Sequence, residues 1–542
     1  MERYSIPHPA NEPIYSYAPG TPERKKLKAA LDELKSKQIE IPMVIDGKEV
    51  RSDNKVKITA PHDHNLVLGY VYRGTRKDVE SAIQAALKAQ KDWAALPGKQ
   101  RAAIFLKAAD LLAGPYRYTV NAASMLGHSK NVFQAEIDGV CELVDFLRFN
   151  AYYMQMISDI QPINPDPMVW NRLDYRPLEG FIFAVTPFNF ISINGNLPTA
   201  PAMWGNVAVW KPPASTPYTS HFLMRILMEA GLPPGVINFI TGRSSEIGDV
   251  VLNNPNLAGI HFTGSTAVFQ NMWKTIGGNI AKYKTYPRIV GETGGKDFIF
   301  VHNSAVADEV ATAITRGAFE YQGQKCSAAS RAYVPRSIWP KIKEILLKQV
   351  KEIKMGDPCD FSNFMNAIID KPAYDSIKAY VDYAKGSSEA EIIIGGNCDD
   401  SKGYFIDATV IETPDPKFKT MVEEIFGPVI TIYVYDDPDY EKTLHLCDET
   451  SPYSLTGAIF ATDRNAVELA ESILRQAAGN FYINDKPTGA VVAQQPFGGA
   501  RASGTNDKAG GFHNMIRWTS PRSIKENLVP PKDFKYPFMT EP

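Results

Sequence analysis

Between residues 77 and 93, Val79, Ile83, Ala86, Ala89 and Trp93 recur at three- and four-residue steps, with Lys, Asp and Gln between them. That period predicts an amphipathic helix. The pattern returns over residues 103–112 and again near 136–149. From residue 181 the rhythm changes. Residues 181–185, 207–210, 236–240 and 259–262 are short, apolar, β-rich runs that read as strands. A helical stretch over 219–230 lies between the middle two, closed by Gly231 and followed by Pro233 and Pro234. Strand and helix alternating at this spacing predict a mostly parallel, doubly wound α/β sheet. Its right-handed crossovers gather the strand ends on one edge, where such sheets bind ligands.

A second α/β unit begins with the strand-like run 297–301. It continues through helices expected at 306–323, 338–354 and 374–386 and reaches another strand at 429–434. Beyond Phe481 the chain turns rich in Gly, Pro and Asn. The first sixty residues are Pro-rich, carry a charged patch from Glu23 to Lys28, and read as a surface-wrapping extension.

Composition narrows the class. A chain of 542 residues is too long for one core, so two or three domains are expected. Apolar residues at 44% and charged residues at 22% are those of an ordinary globular protein. The net charge of -2 points to no nucleic-acid or acidic-membrane partner. No apolar run reaches the ~18–20 residues of a bilayer-spanning helix. The five cysteines are odd in number, scattered, and without a C-x-x-C pair. They argue against a disulfide framework or a metal site, and for a reducing compartment. The opening residues lack the apolar core of a secretory leader.

Chemistry concentrates in six stretches. Cys326 follows Gly323, Gln324 and Lys325, and Ser327–Ala329 is expected to open a helix. A thiol beside a cation and a helix N-terminus has its thiolate favoured, and the N–H groups there can bind an oxyanion. The plain alternative is a small buried side chain. Glu292 sits in Gly291-Glu292-Thr293-Gly294-Gly295-Lys296, just before a strand. It reads either as a carboxylate brought close to a ligand or as a solvated loop residue. Asn189, in Thr186-Pro187-Phe188-Asn189-Phe190, follows a strand and serves either as an amide donor or as a turn former. Thr263-Gly264-Ser265-Thr266 reads as a turn into a helix N-terminus, which suits a pyrophosphate. Glu424-Ile425-Phe426 and Pro496-Phe497-Gly498-Gly499 add a carboxylate and two rings beside turns. Neither a Walker A loop nor a G-x-G-x-x-G fingerprint is present.

Taken in order, these stretches resemble the aldehyde dehydrogenase superfamily over roughly residues 60 to 525. The resemblance implies an α/β fold with a Rossmann-like cofactor domain (61–151 and 179–293), an α/β catalytic domain (294–495) and a β-flap for oligomerisation (152–178 and 496–542), behind the extension 1–60. It implies Cys326 as nucleophile, Glu292 as general base and Asn189 as oxyanion donor. It places a nicotinamide dinucleotide, NAD with NADP possible, on Thr186, Lys211, Gly264, Ser265, Thr266, Glu424 and Phe426. Ala214 stands where many NAD-preferring members carry an acid, and Ala267 where a Glu often follows Gly-Ser-Thr.

Residues 319–327, 482–489 and 494–499, extended by 501–508, closely resemble the 1-pyrroline-5-carboxylate (L-glutamate γ-semialdehyde) dehydrogenases. That resemblance implies NAD-dependent oxidation of glutamate γ-semialdehyde to glutamate in proline catabolism. Phe190 and Phe497 would sandwich the substrate chain, and Ser327 with the N–H groups of Gly489 and Ala490 would hold its carboxylate. It further implies a homodimer or dimer-based oligomer. The expected location is the mitochondrial matrix, or the cytoplasm for an untargeted chain. Two other readings stand beside it: an aldehyde dehydrogenase for another semialdehyde or an aliphatic aldehyde, and a non-catalytic binding protein that keeps the fold.

Overall fold

The computed structural model describes residues 5–539. Two seven-stranded sheets form its frame. In the first, Arg288–Glu292, Leu257–Thr263, Phe181–Val185, Val207–Lys211 and Ile237–Phe239 run parallel in that order. The hairpin Met43–Ile45 and Lys48–Val50 extends it by antiparallel pairing to Ile237–Phe239. The expected strands are therefore found, and the N-terminal stretch contributes more than a wrap. Residues 43–50 enter the sheet, and Pro22–Lys35 is a helix burying Leu27, Leu31 and Leu34. Its charged patch is the outer face of that helix, a periodicity hidden by lysines on both sides.

Phe181–Val185 and Val207–Lys211 are buried along their whole length, because helices cover both faces of the sheet. Those helices include Arg76–Ala95, opened by a Thr75–Asp78 capping box, and Pro217–Ala230, closed by Gly231 in the left-handed conformation. The parallel strands all end on one edge, which carries Thr186, Lys211, Gly264 and Glu292 one strand apart.

In the second sheet the strand order is Glu391–Ile394, Thr409–Thr413, Val429–Tyr435, Ala329–Pro335, Asp297–Val301, Thr456–Phe460, Asn480–Ile483, parallel except for the first. The two sheets meet unlike edges. The C-terminal edge of the first faces the N-terminal edge of the second, where Glu292 pairs with Gly504 and Thr293 N–H donates to Ser503 O at 2.8 Å. A separate two-stranded ribbon pairs Val169–Arg176 with Ser520–Asn527. Among the described residues, no helix is long and apolar enough to cross a membrane.

Candidate active site

Cys326 reaches its place through an unusual stretch of backbone. The helix expected over 306–323 spans only Ala307–Phe319. Tyr321, Gln322 and Gly323 then all adopt positive φ, of 51°, 54° and 64°. Two non-glycine residues in that region cost roughly 1–2 kcal/mol each. Side chains hold the strain in place. Tyr321 Oη donates to His128 O at 3.1 Å, Gln322 Nε2 donates to Ala367 O at 2.8 Å, and Ile369 N–H donates to Gln324 Oε1 at 2.9 Å. Such stored strain is characteristic of reactive sites.

One expectation fails here. Ser327–Ala329 opens the strand Ala329–Pro335 instead of a helix, and the buried Lys325 ammonium pairs with Glu320 at 3.4 Å. No helix dipole acts on the thiol. Burial pushes Cys326 well above its ordinary pKa, and the carboxylates of Asp297, Glu424 and Glu292 push in the same direction. Cys326 is 7% exposed.

Cys326 lies between two cavities. The smaller, of about 40 Å³, is shared with Glu292 and lined also by Phe497, Thr263 and Glu142. That is room for a single water. Glu292 accepts from the Gly499 N–H at 3.1 Å, and burial raises its pKa well above the carboxylate range. The Gly499 bond and the Lys508 charge act downward on it. A side chain at residue 498 would stand 2.9 Å from Glu292 Oε1, so glycine there keeps the carboxylate accessible.

The larger cavity, of about 320 Å³, gathers five residues expected around a substrate: Phe190, Ser327, Gly489, Ala490 and Phe497. Ser327 Oγ shares a 2.8 Å hydrogen bond with Thr488 Oγ1. The N–H groups of Gly489 and Ala490 have no partner among the described residues. The Lys130 ammonium, fully buried, sits 5.1 Å over the Phe190 ring and pairs with Asp138 at 3.1 Å. Asn189 follows the strand Phe181–Val185 as expected and is buried, and its side chain makes no hydrogen bond. The Cys326 N–H is likewise unpaired. Asn189 is not among the residues lining either cavity.

A model of the aldehyde dehydrogenase family matches residues 49–524. The chain belongs to that family. It is 51% identical to the mitochondrial delta-1-pyrroline-5-carboxylate dehydrogenase of Dictyostelium discoideum, over 100% of this chain and 97% of that one. With the mitochondrial human protein of the same name it shares 48% identity, over 98% and 94%. The NAD-bound delta-pyrroline-5-carboxylate dehydrogenase of Mycobacterium tuberculosis superposes with a TM-score of 0.96, at 51% identity and full coverage of both chains. These findings bear out the recognised family and fold.

The edge of the first sheet in this aldehyde dehydrogenase suits a dinucleotide. Lys211 is buried with only Pro212 O in reach, at 3.2 Å, and burial lowers its pKa to about 8. A buried cation without a carboxylate partner is costly unless a ligand supplies acceptors. Ser265 caps the helix Thr266–Gly278 by position alone, with no side-chain bond, and the buried Thr266 Oγ1 has no partner. The N–H groups of that first turn are available to phosphate oxygens. Across the gap, Glu424 accepts from Gly295 N–H at 2.9 Å, and Phe426, with φ of 58°, sets its ring edge-on to Phe188 at 5.8 Å. Thr186 Oγ1 donates to Asn194 Oδ1 at 2.6 Å.

Sequence reading passed over several lining residues. Thr488 and Lys486 stand inside a stretch singled out for other reasons, and Lys486 Nζ donates to Thr488 O at 3.2 Å. Glu142 lines both cavities, accepts from Ser192 Oγ at 2.7 Å, and has its pKa raised to about 8, chiefly by burial and then by Asp138. It lies on a helix whose pattern gives an inward acid no distinguishing mark. Asn11 and Glu12, from the N-terminal stretch, line the larger cavity too.

Proposed function

We propose that this aldehyde dehydrogenase oxidises L-glutamate γ-semialdehyde, the open form of 1-pyrroline-5-carboxylate, to L-glutamate with NAD. The observation that carries the reading is one cavity lined both by the Cys326 thiol and by unpaired donors. Cys326 meets an aldehyde there, while the Gly489 and Ala490 N–H groups, Ser327 and the Lys486 ammonium meet a carboxylate. A simple aldehyde needs no such anchor. Asp138 supplies the acidic side that an α-ammonium group calls for, and Glu142, with its pKa raised to about 8, adds to it when ionised. The names of the Dictyostelium, human and mycobacterial relatives agree with this substrate.

The residues divide the chemistry as follows. The Cys326 thiolate adds to the aldehyde carbon, and the carbonyl π pair moves to oxygen. Asn189 Nδ2 and the Cys326 N–H hold that oxyanion. The nicotinamide, when bound, would supply the acceptor for the hydride leaving that carbon, as the oxyanion pair re-forms the carbonyl and leaves a thioester on Cys326. Glu292 then removes a proton from the water in the small cavity, the water oxygen attacks the thioester, and the Cys326 thiolate departs as the acid forms. Lys211, Gly264, Ser265, Thr266, Glu424, Phe426 and Thr186 hold the dinucleotide, and Phe190 and Phe497 flank the substrate chain.

In this reading 61–151 with 179–293 serve as cofactor domain, with the hairpin 43–50 added to its sheet, and 294–495 as catalytic domain. The ribbon of Val169–Arg176 and Ser520–Asn527 exposes Trp170 and the nearby Met168 and Leu528, as a strand-exchanging flap between two copies would. Residues 152–178 and 496–542 form that flap in a homodimer. The mitochondrial names of the Dictyostelium and human relatives support the mitochondrial matrix as the site of action.

The test is reduction of NAD with glutamate semialdehyde, succinate semialdehyde and propanal in parallel. A strong preference for glutamate semialdehyde, lost in Cys326→Ser, supports the reading. Equal turnover of propanal refutes the anchor.

A further inference from the structure

The substrate cavity is not closed by the two main units alone. Asn11, Glu12 and Ile14 line it together with Cys326, Ser327 and Ala490. These three residues come from a stretch with no regular secondary structure, yet its side chains are fastened on several sides. Asn11 Nδ2 donates to Asp145 Oδ2 at 2.8 Å and to Val492 O at 3.0 Å, and Gln494 Nε2 donates back to Asn11 Oδ1 at 2.9 Å. Glu12 N–H donates to Asp145 Oδ1 at 2.7 Å. The Glu12 carboxylate takes Arg117 on one oxygen and Arg148 on the other, both at 2.6 Å. Arg117, 1% exposed in its side chain, also donates to Pro13 O at 2.6 Å and pairs with Glu136. Its guanidinium lies 3.9 Å over the Tyr15 ring. Buried, bidentate ion pairing of this kind fixes geometry more than it adds stability.

We propose that residues 11–14 form a strap that sets substrate specificity, with Asn11 as a positioning residue for the carboxylate anchor. The argument rests on the glutamate semialdehyde reading above. Among the described residues, Asn11 is the side chain that hydrogen-bonds both to the helix Glu142–Ser158, through Asp145, and to the loop following Ala490, through Val492 and Gln494. Gly489 and Ala490, whose free N–H groups form the anchor, lie two to five residues before Val492 and Gln494 on the same loop. The rest of that loop is tied within itself and at its far end: Val491 N–H donates to Gln495 Oε1, the Gln494 and Gln495 N–H groups donate to Val491 O, and Ala493 N–H donates to Gly510 O, all at 3.0 Å, while Val492 packs on Phe146 and Phe149. Without the Asn11 bridge the donors lose their preset direction, and an anchor that must order on binding binds more weakly. Ile14 and Phe133, each about half-exposed, stand at the same wall and narrow the entrance against bulkier aldehydes.

The experiment compares Asn11→Ala and Gln494→Ala with the unaltered full chain, using glutamate semialdehyde and propanal and recording the thermal midpoint of each protein. The strap predicts that Asn11→Ala raises KM for glutamate semialdehyde about tenfold while kcat stays within about twofold and propanal kinetics barely move. Gln494→Ala, which removes only one of the three Asn11 contacts, shifts KM the same way by less and carries the test should Asn11→Ala fail to fold. Parallel losses for both aldehydes, tracking the thermal midpoint, would overturn the strap and mark a structural role. Unchanged KM in both variants would overturn it as well. An unaltered chain that shows no preference for glutamate semialdehyde over propanal would instead remove the substrate reading beneath it.

Discussion

Glu292 receives the backbone N–H of Gly499 at 3.1 Å, so the carboxylate contributed by the first sheet, the base of the proposed mechanism, is held by a loop that follows the last strand of the second. Lys508 fixes that loop by donating to Gly479 O at 2.7 Å and Gly498 O at 3.0 Å, and its charge lowers the Glu292 pKa against the rise from burial. The base works only when ionised, and Cys326 attacks only as thiolate. Both pKa values are raised, so kcat/KM and kcat climb with pH through neutrality. Lys508→Met removes the downward influence on Glu292 and moves the kcat profile to higher pH. A pH series of both parameters reads this directly, and an acid-ward shift in Lys508→Met would contradict it.

The anchor predicts a split between binding and turnover. Gly489 has φ of 94°, where an added Cβ is strained and would stand 3.1 Å from Lys486 Nζ. Gly489→Ala therefore displaces both the N–H donor and the neighbouring cation. We expect KM for glutamate semialdehyde to rise on the order of tenfold or more, with propanal unaffected. Ser327→Ala leaves Thr488 without its 2.8 Å partner and acts in the same direction more mildly.

Cofactor choice turns on Lys211 and Ala214. With an unpaired buried ammonium at Lys211 and no acid among the residues lining the space beside Ala214, that space does not repel a 2′-phosphate. We therefore expect measurable reduction of NADP beside NAD. Ala214→Glu lowers kcat/KM for NADP more than for NAD, and Lys211→Met raises KM for both. Initial rates with each cofactor settle the comparison.

Acid lability has a definable source. His261 is fully buried, its Nδ1 lies 2.9 Å from Leu197 O, and its ring lies against Trp518. Burial lowers its pKa to about 4 from the ordinary 6.5. The folded state thus binds fewer protons than the unfolded chain between those values, and its stability is complete above pH 6.5 and falls as pH drops toward 4. The contribution is on the order of 3 kcal/mol at most. Denaturant unfolding of His261→Gln from pH 7 to 4.5 should show a flatter loss of stability than the unaltered chain.

The parallel strands of the first sheet were legible because a strand covered on both faces must be continuously apolar, as Phe181–Val185 is. Their shared edge followed from chain direction alone, and Lys211, Gly264 and Glu292 fell on it. The helix over 22–35 was not legible, since Leu27, Leu31 and Leu34 are three apolar positions among lysines and acids. The surroundings of Cys326 misled for a different reason. Ser-Ala-Ala has no strong preference, and pairing with Asp297–Val301 decided the strand. Glu142, Lys486 and Asn11 reach the site from three distant parts of the chain, and no local pattern reports such convergence.

The central claim is that Cys326 carries the glutamyl group until Glu292 activates water. Glu292→Gln keeps the shape and removes the base. After incubation of this variant with NAD and glutamate semialdehyde, intact-mass measurement and peptide mapping should find one glutamyl thioester, on the peptide bearing Cys326. An unmodified protein, or the adduct on any other cysteine, would contradict the account.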